Sequence, residues 1–337
     1  MARRLGIATV VIGAMIVGVC AFESVFRLVD PWGTSYYVEI DRFFGQALKS
    51  NQDFAYTGRP GLHDTFQGVE VRINSKGFRG REFPQRKPGN HRIMVLGDSV
   101  PFGWGVSEND TAPEILRTML ERTGLSFDVI TCAVPSWNTR IEYEFLKREG
   151  LSYNPDVVVL WIDGNDVVPN LSCPTDVDKE ILRGNKSARP QNLRAKLMAL
   201  VHRSPLRRFY TYAALVSSYR LSLAGQQMNA MYHSDAPAWT DARLALEGII
   251  RCCEVHGITL VAFLYVFPQT PPDPAIDAYG KVLAQHKIPL HRFPDAHFSP
   301  ELRNSATDGH PNAQGHALIA KTMFETLKPQ LEEIDRR

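Results

Sequence analysis

The stretch Arg92-Ile93-Met94-Val95-Leu96-Gly97-Asp98-Ser99 decides the fold. Its apolar run is rich in strand formers, and Gly97-Asp98-Ser99 stops it with turn-forming residues. A second run, Asp156-Val157-Val158-Val159-Leu160-Trp161-Ile162, is stopped in the same way by Asp163-Gly164-Asn165-Asp166. Continuous apolar runs suit strands buried on both faces of a parallel sheet. Ligands of open parallel sheets bind beyond the carboxyl ends of the strands. A serine and an asparagine therefore stand where such a fold places its chemistry, and Asp308-Gly309-His310 adds an acid and an imidazole.

Working outward, strands alternate with helices from about residue 91, the pattern of a parallel α/β sheet. Glu114–Leu120 has helical spacing, Phe127–Cys132 reads as the second strand and Arg140–Arg148 as a helix. Later come a helix over Arg243–His256, an apolar strand over Ile258–Leu264 and a short last strand at Pro289–Phe293. An amphipathic helix over Ala313–Leu327 closes the pattern, with Leu318, Ile319, Met323, Phe324 and Leu327 on its apolar side. Between the third and fourth strands lie about 75 residues, Val167–Thr240, far more than an ordinary crossover needs. This insertion, at about 167–240, is basic around Lys196, Arg203, Arg207 and Arg208 and reads as helical from about 191. It is either a lid over the active face or a solvated decoration.

Ahead of this domain, residues of about 24–90 form a mixed lead-in in which Val69-Glu70-Val71-Arg72-Ile73 alternates like a half-exposed strand and Asn74-Ser75-Lys76-Gly77 signals a turn. A small β-rich extension is expected there. Residues 1–23 read as a membrane anchor: Arg3 and Arg4 precede about 18 uncharged residues, Leu5–Phe22, near the minimum for a membrane-spanning helix. The two arginines favour the cytoplasmic side, which leaves the following domain outside the cytoplasm. Cleavage as a signal peptide is the competing reading, although Val19 before Cys20 is bulky for a lipoprotein site and no Ala-x-Ala follows.

The chain has 337 residues, 44% hydrophobic and 22% charged, and a net charge of +2, which points to no nucleic-acid partner. None of the five cysteines has zinc-site spacing. They read as buried thiols, with a disulfide from Cys173 to Cys252 or Cys253 as the alternative for an exported domain.

Ser99 ends a strand, and a helix is predicted from near Thr111. A serine is a poor nucleophile without a base to take its proton. His310 is the candidate base and Asp308 the residue that orients it, in the chain order Ser…Asp…His. Asn165 offers a side-chain donor of the kind that holds a tetrahedral oxyanion. Each residue also has a structural reading: Ser99 as a turn residue, Asn165 as a turn former, Asp308–Pro311 as the loop before a helix N-capped by Asn312. Their order and their common place at strand ends favour the chemical one. Asp295-Ala296-His297 repeats the acid–x–histidine spacing without the Pro-Asn-Ala that follows His310, and is the weaker pair. His316 falls on the last helix and reads as structural. Trp104 and Trp137 either line an acyl or sugar pocket or fill the core.

At these segments the chain resembles the SGNH (GDSL-type) hydrolase superfamily. Val95–Val106 looks like the block that carries the nucleophile, here Ser99. Asp163-Gly164-Asn165-Asp166 is similar to the block whose asparagine is an oxyanion donor, and Asp308–His316 to the block of the acid and base. The resemblance covers about residues 91–327 within a domain of 91–330 and implies a flavodoxin-like, three-layer α/β/α fold with a five-stranded parallel sheet. It implies ester hydrolysis or acyl transfer with no metal or other cofactor. Two departures stand out. Ser136, in Ala133-Val134-Pro135-Ser136-Trp137, replaces the glycine whose backbone N–H completes the oxyanion hole, and one residue rather than two separates Asp308 from His310.

The expected function is therefore a membrane-anchored, extracytoplasmic serine esterase. Catalysis falls to Ser99, His310, Asp308, Asn165 and the backbone of Ser136. The expected substrate is an ester, on a cell-surface glycan or a lipid. The alternatives are an O-acyltransferase acting on a surface polysaccharide and a non-catalytic module that binds glycan or a partner.

Overall fold

The chain begins with a helix, α1 (Ala2–Val29), in which Gly6–Val29 is long and apolar enough to cross a membrane. A membrane anchor and a signal sequence share that character. The helix runs past Phe22 because Glu23, the first acid in it, is neutralised one turn later by Arg27 at 2.8 Å and accepts the Tyr210 N–H at 2.6 Å. A second helix, α2 (Ser35–Gln46), was not expected; two hairpins follow it, β1 (Leu48–Asn51) with β2 (Ala55–Gly58), and β3 (His63–Phe66) with β4 (Val69–Arg72). The β3–β4 loop is Gln67-Gly68, both at positive φ (51° and 75°), the requirement of a two-residue type I′ turn. The computed structural model describes residues 2–30, 33–168, 209–210, 230–265, 273–293 and 299–336. Most of the expected insertion at 167–240, Cys173 and the Asp295/His297 pair lie outside these.

The apolar runs then pair as a parallel sheet of β5 (His91–Gly97), β6 (Phe127–Ala133), β7 (Val157–Asp163), β8 (Thr259–Tyr265) and β9 (Leu290–Arg292), in the order β6-β5-β7-β8-β9. Val95 lies opposite Thr131 on one side and Val159 on the other. The strand order reverses between β5 and β7, and the crevice at such a reversal is where open α/β sheets bind ligands. Gly97 and Asp163 end their strands there. The flanking helices are α3 (Ser99–Phe102), α4 (Ala112–Glu121), α5 (Thr139–Arg148), α6 (Pro237–His256), α7 (Asp273–Gln285) and α8 (Ala313–Asp335).

Alternate residues of each strand face opposite layers. Ile93, Val95, Val157, Val159 and Phe263 pack with Leu116, Leu120, Ile319, Met323 and Leu327 of α4 and α8. Met94, Leu96, Val158, Leu160 and Leu264 pack with Phe145, Leu146, Leu246, Ile249 and Ile250 of α5 and α6. Phe43, Tyr56, Phe66 and Phe78 of the N-terminal segment join this second core. The molecule is thus a three-layer α/β/α fold with an N-terminal apolar helix and two hairpins. Helix α8 runs two turns past Leu327, across Pro329, because Leu331 and Ile334 continue its apolar stripe. Cys132 and Cys253 are buried and Cys252 partly so, all three as free thiols, whereas Cys20 is exposed on α1.

Candidate active site

Ser99 opens α3 immediately after β5. Gly97 permits this tight exit: a Cβ there would lie 2.7 Å from Pro101 Cγ and 2.9 Å from Trp161 Cβ of β7. Asp98 caps α3 by accepting the Val100 N–H at 3.3 Å, and Gly103, at φ 80°, ends the helix after a single turn. The segment that begins at Ser99 is therefore a helical turn and not a loop.

His310 and Asp308 lie between β9 and α8 and reach back to Ser99. His310 Nδ1 is 2.5 Å from Asp308 Oδ1, and His310 Nε2 is 2.8 Å from Ser99 Oγ. With Nδ1–H donating to the carboxylate, Nε2 of the neutral ring is the acceptor facing the hydroxyl. Asp308 is fully buried and held on several sides. Its Oδ1 also accepts the His310 N–H at 3.1 Å, its Oδ2 accepts from Asn304 Nδ2 at 3.1 Å, and its own N–H donates to Ser305 Oγ at 3.0 Å. Asn304 Nδ2 also donates to Trp104 O at 3.0 Å, joining the loop of His310 to the segment that follows Ser99. The Ser99 hydroxyl has a second acceptor, Asp98 Oδ2, at 3.2 Å. It carries one proton, and the imidazole is the nearer partner.

The other two candidate residues follow β6 and β7. Trp137 N–H donates to Val134 O at 3.0 Å, with Pro135 and Ser136 between them and Ser136 at φ 65°. Proline at the second position and positive φ at the third are the signature of a type II turn, whose third position ordinarily takes glycine. Ser136 thus holds a glycine conformation. Asn165 stands half-buried just beyond β7, and its Oδ1 has no hydrogen-bond partner among the described residues. Ser99, Ser136 and Asn165 accordingly follow the carboxyl ends of three adjacent strands, β5, β6 and β7.

Beneath these loops lie four buried acids, Asp98, Glu142, Asp163 and Asp166. Burial, reinforced by the charge of Asp98, pushes the carboxyls of Glu142 and Asp163 well above the usual carboxylate range; burial, reinforced by Glu142 and Asp98, does the same for Asp166.

His316 is structural: it is fully buried on α8, and its Nδ1 accepts the Ala112 N–H at 3.2 Å at the start of α4. Trp104 and Trp137 are both about 1% exposed and belong to the core. Sequence reading missed three residues that hold the site's loops, Tyr36, Arg79 and Asn304. Arg79 is buried and donates to the carbonyl oxygens of Phe102, Gly103 and Val106 at 3.2, 2.5 and 2.8 Å, and to Glu70 O at 3.0 Å. Burial pushes its guanidinium down to about 10. Asn304 could have been found from its place four residues before Asp308; nothing local marks the other two.

The profile of the GDSL-like lipase/acylhydrolase family matches residues 95–318, two thirds of the chain. The chain belongs to this family. As a member, it is an ester hydrolase of the SGNH/GDSL type. No curated protein sequence matches it. Among solved structures it is similar to the psychrotrophic esterase EstA from Pseudoalteromonas sp. (13% identity, TM-score 0.46, covering 72% of this chain and 100% of that one). A family 3 carbohydrate esterase from Clostridium thermocellum is also similar (17% identity, TM-score 0.44, 73% and 99%). So is a lipase/acylhydrolase from Enterococcus faecalis (15% identity, TM-score 0.42, 71% and 96%).

Proposed function

We propose that this GDSL-family hydrolase cleaves an ester of a cell-surface glycan or lipid, with Ser99 as nucleophile, His310 as base and Asp308 as its orienting acid. The observation that carries the reading is the relay from Ser99 Oγ through His310 to Asp308, at 2.8 and 2.5 Å, beside the sheet's reversal point. Ser99 Oγ attacks the carbonyl carbon while its proton passes to His310 Nε2, and buried Asp308 stabilises the resulting imidazolium. The backbone N–H groups of Ser99 and Ser136, with the Asn165 side chain, receive the oxyanion. Collapse expels the alcohol, which takes the proton from Nε2 and leaves an acyl-serine. Water, deprotonated by the same imidazole, then releases the acid. The surface location rests on the apolar α1, which leads within a few residues into helix α2 beside the relay.

The test is intact-mass analysis of the full chain in detergent after treatment with a fluorophosphonate, as wild type and as Ser99→Ala. A single adduct on the wild type alone is expected, together with a loss of p-nitrophenyl acetate turnover of about 10⁴-fold or more in the variant. A folded wild type that takes no adduct would sink the assignment of Ser99.

A further inference from the structure

We propose that Tyr36, on the helix that follows the apolar N-terminal segment, is a positioning residue for His310. Its ring confines the imidazole to the orientation in which Nδ1 meets Asp308 and Nε2 meets Ser99. The inference rests on the reading of His310 as the base.

The two hydrogen bonds of His310 fix its nitrogens but leave the faces of the ring to packing. The Tyr36 ring packs against the imidazole at a tilt: its centroid is 5.6 Å from that of His310, at an interplanar angle of 53°. Tyr36 is itself wedged edge-on against the buried Trp104 at 6.3 Å, and Trp104 against Phe43 of the same helix at 5.4 Å. The position of Tyr36 is set from both sides. On the helix side, the Asp30 carboxylate at the end of α1 accepts the Thr34 N–H and hydroxyl at 2.6 and 2.9 Å and the Ser35 N–H at 3.1 Å, securing the start of α2. On the base side, Thr307 Oγ1 donates to Gly33 O at 2.8 Å. Gly33, at φ 70°, lies so close to the base loop that a Cβ there would be 2.1 Å from Ser305 Oγ. The loop carrying Asp308 and His310 is therefore clamped against the very segment that presents Tyr36.

The phenol is a neutral group here: burial, and after it the charge of Asp308, holds its hydroxyl well above the ordinary tyrosine range. It brings no charge to compete with the Asp308–His310 pair, so what it offers the imidazole is the packing of its tilted ring. Both Tyr36 and Gly33 precede residue 95, where the family match begins. The brace thus belongs to this chain's extension and not to the matched domain. Displacement of a catalytic group by about 1 Å can cost on the order of 10²-fold in rate, which sets the scale of the expected effect.

The experiment uses the full chain in detergent, with p-nitrophenyl acetate as substrate. Tyr36→Ala should lower kcat about 10- to 100-fold with KM within about two-fold, because orientation of the base is lost while the substrate site is intact. Tyr36→Phe should restore kcat to within about two-fold, since the ring and not the hydroxyl acts. Phe44→Ala, on the same helix with its ring toward Phe43 at 6.2 Å, loosens the helix and should leave kcat near the wild-type value. Wild-type kcat in Tyr36→Ala would overturn the proposal. So would a loss in Tyr36→Phe equal to that in the alanine variant, or a loss in Phe44→Ala equal to that in Tyr36→Ala. The rate of fluorophosphonate labelling separates the two levels of argument. If wild type and Tyr36→Ala label at the same rate, the brace fails and the nucleophile stands; if the wild type does not label at all, both fall.

Discussion

The parallel sheet and the N-terminal extension (residues 33–90) meet at the same site and hold it by different means. The sheet delivers groups: Ser99, Ser136 and Asn165 each follow a strand end, within three residues of Gly97, Ala133 and Asp163. The extension delivers braces. Arg79 ties down the carbonyls of the loop after Ser99. Tyr56 Oη donates to Pro135 O at 3.2 Å, and Trp137 Nε1 donates to Tyr56 O at 3.0 Å, pinning the turn that carries Ser136. Tyr36 and Gly33 back the loop that carries His310. All three loops are therefore supported by residues before position 95, outside the family match. The matched domain is here rigidified by a segment that precedes the match.

If that division holds, loss of a group the sheet delivers should strike rate without loosening the fold, whereas loss of a brace should reach the rate only through the loop it holds, as at Tyr36, or through stability. After Ser99 itself, the largest effect is expected at Asn165. Removing one oxyanion donor typically costs about 10²–10³ in kcat, so Asn165→Ala should lose about that much turnover of p-nitrophenyl acetate while its melting temperature stays near the wild-type value. A loss of less than ten-fold would remove Asn165 from the donor set. Next comes Arg79→Met. It leaves four backbone carbonyls without their buried donor, and unsatisfied groups of this kind cost about 1–3 kcal/mol each before any relaxation. A destabilisation of about 3 kcal/mol in urea unfolding is expected, with slower fluorophosphonate labelling in the variant even where it is folded. Unchanged stability would mean that the extension rests on the sheet without bracing it.

The same division explains what was legible in the sequence. The strands, the Ser99 exit, the Asn312 cap and the acid–histidine pair are encoded by neighbours within a few residues, because apolar runs and turn residues act locally. The hydrogen bond that the Gly315 N–H donates to Asn312 Oδ1, at 3.1 Å, is an example. Helix α2 and the braces are not so encoded. Tyr36 meets His310 across most of the chain, and Arg79 meets carbonyls of the loop at 102–106, which any residue type could present. No pattern in residues 33–47 distinguishes Tyr36 from Tyr37. Ser136 was legible as an irregularity, and its positive φ gives the physical reason the position favours glycine.

That irregularity yields a smaller effect. A non-glycine residue in the left-handed region carries strain of about 1–2 kcal/mol, and glycine returns about 0.5–1 kcal/mol of it through a more flexible unfolded chain. Ser136→Gly should therefore gain up to about 1 kcal/mol in stability with activity retained, because the donor is a backbone N–H. Ser136→Val places a β-branched residue at positive φ and should lose both. Were the glycine variant less active at equal stability, the Ser136 side chain would have a role beyond its backbone.

The smallest effect tests the floor of the sheet side, and its sign is set by pH. Glu142 lies on the first turn of α5, fully buried, with neither carboxylate oxygen hydrogen-bonded among the described residues. Burial, and after it the charge of Asp98, raises its pKa in the folded protein above the ordinary value of 4.5. A group raised in this way binds its proton more tightly folded than unfolded. Its contribution to stability is whole below pH 4.5 and is lost as the pH climbs toward the folded-state value, because the unfolded chain ionises first. Gln is nearly isosteric with the protonated acid and cannot ionise. The melting temperatures of wild type and Glu142→Gln should therefore lie together below pH 4.5 and separate as the pH rises above it, with the variant higher. Parallel curves across the whole range would mean that Glu142 is charged in the folded protein. In that case the floor beneath Ser99 and Asn165 would carry a further negative charge, added to that of Asp98, opposing the oxyanion, and the rate of Glu142→Gln should exceed that of the wild type.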